Sequence, residues 1–87
     1  MAEPDGLPGV WRDFGAGQEL DLRGLEPPEP MVGILGRIEA DPGRAPFIVR
    51  VPHDPVHLYG ELVARGWRGE VLSLEEGNVR LRLASAQ

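Results

Sequence analysis

Three prolines within four residues, Pro27, Pro28 and Pro30, stand between two different hydrophobic periods. Before them, Leu20 and Leu22 alternate with Glu19, Asp21 and Arg23, the two-residue period of a strand with one buried face, and Gly24 ends the run. After them, Met31, Ile34, Leu35 and Ile38 recur at i, i+3, i+4 and i+7, the stripe of an amphipathic helix. Proline lacks an amide hydrogen and fixes φ, so a helix tolerates it only in the first turn. The cluster therefore fixes a β-to-α boundary and predicts a helix near residues 28–40. Pro28 and Pro30 form its rigid start, with Glu26 and Glu29 complementing the positive end of its dipole.

The same reading extends along the chain. Asp41-Pro42-Gly43 stops the first helix, and Phe47, Val49 and Val51 alternate with Ile48 and Arg50 as a second strand. Asp54 before Pro55 has the form of an N-cap followed by a first-turn proline. A second helix is thus expected near 55–65, with Leu58, Leu62 and Val63 as its stripe and Gly66 as a left-handed C-terminal cap. Trp67 to Leu74 reads as a third strand, Glu75-Glu76-Gly77-Asn78 as a turn, and Val79 to Leu83 as a fourth strand. The order β-α-β-α-β-β makes an α/β two-layer sandwich of four strands, whose right-handed crossovers place both helices on one face. Leu20, Leu22, Phe47, Val49, Val51, Val79, Leu81 and Leu83 then form the core, and Asp21, Arg23, Ile48, Arg50, Arg80 and Arg82 the open face. Residues 1–17, with four glycines and two prolines, read as a flexible tail. Trp11 and Phe14 have helical spacing in it, and either dock back or offer a loose partner contact.

Composition narrows the functions. Eighty-seven residues allow one small domain, and 41% hydrophobic with 26% charged residues is ordinary for a globular chain. No apolar run approaches the ~20 residues that span a bilayer, and the acidic N-terminus lacks the pattern of a signal peptide, so the expected location is cytoplasmic, away from membranes. A net charge of −5 argues against general nucleic-acid binding. All nine basic residues are arginine, which a GC-rich coding bias explains without selection for planar anion-binding forks. With no cysteine there is no disulfide, thiolate metal site or thiol chemistry.

The two β-to-α loops, 24–30 and 52–55, should lie at one carboxyl edge of the sheet, where open α/β sheets bind ligands and helix N-termini offer amide donors. Arg23, Glu26, Pro27, Pro28, Glu29, His53, Asp54 and His57 are the candidates for a ligand or partner site there. His53 and His57, four apart, also have the spacing of a metal or haem pair, with Glu26 or Asp54 as a further ligand. The plainer reading leaves Asp54 as a cap, the histidines exposed and the edge as ordinary surface. Tyr59 and Trp67 read as packing residues, and Arg50, Arg80 and Arg82 as a solvated sheet face in preference to an anion patch. No catalytic motif or nucleophile–base pair occurs, so no enzyme activity is expected of the chain alone.

The strand-Asp-x-x-Gly-Leu-x-x-Pro-x-Pro-helix pattern, here Asp21, Gly24, Leu25, Pro28 and Pro30, resembles the TusA/SirA-like sulfur carriers. "LDLRGLEPPEPM", "HDPVHLY" and "ELVARGW" are more similar still to the sister domain-of-unknown-function family 2249. The resemblance implies a TusA-like domain over 18–84 with a short C-terminal tail at 85–87, and strand order 1-2-4-3 with the fourth strand antiparallel to the others. It also implies a setting in sulfur, redox or nitrogen-oxide metabolism. Sulfur carriers hold a persulfide on the cysteine of their C-P-x-P motif, but that position here is Pro27, so persulfide relay by this chain alone is excluded. The expected function is a small non-enzymatic binding or adaptor module with a protein partner and no cofactor. The alternatives are a metal or haem carrier using His53, and an accessory subunit of an enzyme.

Overall fold

The computed structural model describes residues 6–43 and 46–86. Five strands and two helices follow in the order β1 (Val10–Asp13), β2 (Gln18–Asp21), α1 (Glu29–Ala40), β3 (Phe47–Val51), α2 (Leu58–Ala64), β4 (Trp67–Glu75) and β5 (Asn78–Ser85). They form one mixed sheet in the order β1-β2-β3-β5-β4. The pair β2–β3 is parallel, and β1–β2, β3–β5 and β4–β5 are antiparallel. The four expected strands keep the relative order that the resemblance implied, and their count is corrected to five.

The alternation does what it predicted. Leu20, Leu22, Val49, Val51, Val79, Leu81 and Leu83 are all at most 2% exposed, and they form one core with Phe47, Trp67 and with Ile34, Ile38, Leu58 and Leu62 of the helices. α1 begins at Glu29 with Pro28 at its N-cap, and Pro30 lies in the first turn. Gly66 has a φ of +76° after α2, where its amide donates to the Val63 carbonyl.

The fifth strand lies inside the segment expected to be a tail. Trp11 pairs with Leu20 across the β1–β2 ladder and packs edge-to-face on Phe47 at 5.8 Å, which in turn packs on Trp67 at 5.8 Å. Of the two alternatives for Trp11, docking is the one seen, in a strand rather than a helix. Buried Arg37 of α1 holds the approach to β1, donating to the carbonyl oxygens of Pro8 at 2.6 Å and Gly9 at 3.2 Å. Gly33 allows this contact, because a side chain there would run into the Pro8 carbonyl oxygen. Residues 1–5 lie outside the described residues.

The open face is more organised than a solvated surface. Glu19, 3% exposed, accepts from Arg50 Nε at 2.7 Å and from Arg80 Nη2 at 2.9 Å. Phe14 lies beside this pair, with the Arg50 guanidinium 3.8 Å and that of Arg23 5.4 Å from its ring centre. Both sheet edges discourage further pairing. β1 has four residues, and β4 carries Arg68, Glu70 and Glu75 with an irregularity between Val71 and Ser73.

Candidate functional site

Because β2 and β3 are parallel, the loops that leave them open on the same edge of the sheet. The first loop turns at Gly24, whose φ of +83° is left-handed, and reaches α1 through a cis Pro27–Pro28 bond. Its turn is closed by the Glu29 amide donating to Glu26 at 2.9 Å, and the Val32 amide donates to Pro28 at 3.0 Å. The second loop runs from Val51 through Pro52, His53, Asp54, Pro55, Val56 and His57 to Leu58.

Between the loops is a cleft of about 320 Å³. Pro27, Pro28, Pro30 and Met31 form one wall, Pro52 to His57 the other, and Val51 with Leu58 joins them to the core. The lining is almost wholly apolar, with five prolines among its residues and no arginine. Such a volume is at the small end of the ~300–1,000 Å³ common for ligand pockets. It suits one or two large apolar side chains.

Asp54 does not cap α2, which corrects the expected helix start. α2 begins at Leu58, and the N-cap position is His57, with no side-chain capping bond. The Asp54 carboxylate instead accepts the Tyr59 hydroxyl at 2.8 Å, while the Val56 and Leu58 amides close turns onto the Asp54 and Pro55 carbonyls. Burial, and then the bond to Asp54, push the Tyr59 hydroxyl pKa up to about 12. Tyr59 is thus a brace that holds the second loop against α2.

Of the predicted site residues, Pro27, Pro28, His53, Asp54 and His57 line the cleft. Glu26 and Glu29 are exposed on its α1 side, outside the lining. Arg23 is elsewhere: its Nε donates to Asp21 at 2.9 Å, and its guanidinium stands over Phe14. Prolines remove amide donors at five positions of the lining, and the Glu29, Val56 and Leu58 amides close turns onto the Glu26, Asp54 and Pro55 carbonyls. Among the described residues no group of three or more His, Asp or Glu is placed to hold a metal ion. Sequence reasoning gave Met31 and Leu58 to helix stripes and passed over Val56. Val56 carries a signal in retrospect, as an apolar residue off the α2 stripe and 64% exposed.

No helix among the described residues is long and apolar enough to cross a membrane. A family model described as an uncharacterised conserved protein (DUF2249) matches residues 19–85, which include both walls of the cleft and leave β1 outside. No curated protein and no solved structure matches the chain.

Proposed function

The chain belongs to the DUF2249 family, and on that premise we propose that it is a small, non-enzymatic binding module which docks a partner protein through the cleft between its two β-to-α loops. The observation that carries this reading is the cleft itself. It is apolar, built by proline-rich loops, open at the edge of a parallel strand pair where such sheets bind ligands, and lined by no serine, threonine, cysteine or lysine. His53 and His57 are its polar side chains apart from Asp54, which is already bonded to Tyr59. They orient a bound segment by hydrogen bonding.

A relation to sulfur carriers fits the same picture. Strands β2 to β5, with both helices packed on one face, support a TusA-like arrangement in which Pro27 stands where the carriers have their cysteine. The scaffold then remains as a docking surface, and its setting is cytoplasmic, in redox, sulfur or nitrogen-oxide metabolism.

The test compares three affinity baits by quantitative mass spectrometry of what they retain: the unaltered chain, Val56→Glu at the cleft lip, and Arg82→Ser on the open face. The reading predicts one defined protein bound by the first and third and lost from the second. Equal retention by all three would reject it.

A further inference from the structure

Resting on that reading of the cleft, we infer that its occupant is an extended protein segment that inserts an apolar side chain and carries lysine or arginine beside it. The argument is one of charge. On the sheet's open face arginines outnumber the carboxylates they bind: Asp21 is shared by Arg12 and Arg23, and Glu19 by Arg50 and Arg80. Arg65 is held by Glu39 and Glu61. At the cleft the balance is reversed. Glu26 and Glu29 are exposed beside Pro27, Pro28 and Pro30, and neither side chain has an ion-pair partner among the described residues. Asp54, on the opposite wall, accepts the neutral Tyr59 hydroxyl and has no ion-pair partner among the described residues. Three carboxylates thus stand at an apolar cleft whose lining includes no arginine or lysine, in a chain whose net charge is −5.

An anionic ligand would meet this field with no arginine in the lining to offset it. A basic segment gains on approach and loses little at the rim, where exposed pairs keep their hydration. The prolines add a second constraint. Pro27, Pro28, Pro30, Pro52 and Pro55 have no N–H to form a ladder with a visiting strand, so the segment is recognised by the side chain it inserts. Val56, 64% exposed, supplies apolar contact at the lip.

Short synthetic peptides with a central leucine-phenylalanine pair, flanked by lysines, serines or glutamates, test this by amide chemical-shift mapping on the full chain. The lysine-flanked peptide should bind about fivefold tighter than the serine-flanked one, shifting Met31, Val56 and His57. In the Glu26→Gln, Glu29→Gln double variant that preference should shrink while serine-flanked binding stays unchanged. A preference for glutamate flanks, no preference, or a lysine preference untouched in the double variant would overturn the inference and leave the docking cleft standing. If no peptide shifts the cleft residues, the docking reading falls with it.

Discussion

The Tyr59 hydroxyl gives its proton to a hydrogen bond with Asp54 at 2.8 Å, and this contact fixes the shape of the second cleft wall. The protein has one tyrosine, so its ionisation can be followed by ultraviolet absorbance without overlap from another. The midpoint should lie near 12, and Asp54→Asn should lower it while leaving it above 10.0, because burial is the larger cause of the shift. A midpoint at the ordinary value in the unaltered protein would show that the brace is absent. Glu19 offers a second test. Burial raises its pKa, but hydrogen bonds from Arg80 and Arg50 outweigh burial, and the carboxyl ends below its ordinary value. A depressed folded-state pKa contributes stability above the unfolded value of 4.5, and that contribution is lost as pH falls through the folded value. Glu19→Gln should therefore cost about 1–3 kcal/mol near neutral pH. Its unfolding midpoint in urea should also be less sensitive to acid than that of the unaltered chain. Equal stability at neutral pH would mean that Arg50 and Arg80 need no partner.

Among the elements, β1 is the one whose role the sequence conceals. Val10-Trp11-Arg12-Asp13 lies among glycines and has too few residues to display alternation, so nothing local marks it as a strand. It exists because β2 offers a ladder, Phe47 offers a ring face, and Arg37 binds the carbonyls that precede it. Those are tertiary contacts, which override weak local pattern. α1 and strands β2 to β5 were legible because their apolar periods are long and the prolines mark one boundary. The α2 start was misplaced because Asp54-Pro55 looks like a cap, whereas the Asp54 carboxylate is taken by Tyr59. A cleft between the two loops followed from the parallel β-to-α order, and Pro27, Pro28, His53, Asp54 and His57 were expected there, but Met31 and Leu58 were not, since they serve both core and cleft. Gly33→Ala gives a sign test of the β1 docking. In a free helix this change stabilises by about 1 kcal/mol. Here it should destabilise by about 1–3 kcal/mol, because the added Cβ displaces the Pro8 carbonyl. Trp11→Ala should cost a similar amount through its lost ring contact and burial. Chemical denaturation measures both, and a stabilised Gly33→Ala chain would mean that the N-terminal segment does not rest on α1.

Across the whole molecule, the charged groups divide the surface by role. One face of the sheet is covered by helices, and on the other Glu19 and Asp21 are bound by arginines while Phe14 packs over Arg50. The sheet edges are short or irregular. The proline-lined cleft is open, apolar and flanked by Glu26 and Glu29, which have no ion-pair partner among the described residues. The central claim, that this cleft is where the protein meets its partner, is tested most directly by photo-crosslinking in the native cell. A photoreactive side chain replaces Val56 in one experiment and Arg82 in the other. The account predicts a discrete adduct with one protein from position 56 and none from position 82. A specific adduct from position 82, with none from position 56, would contradict it.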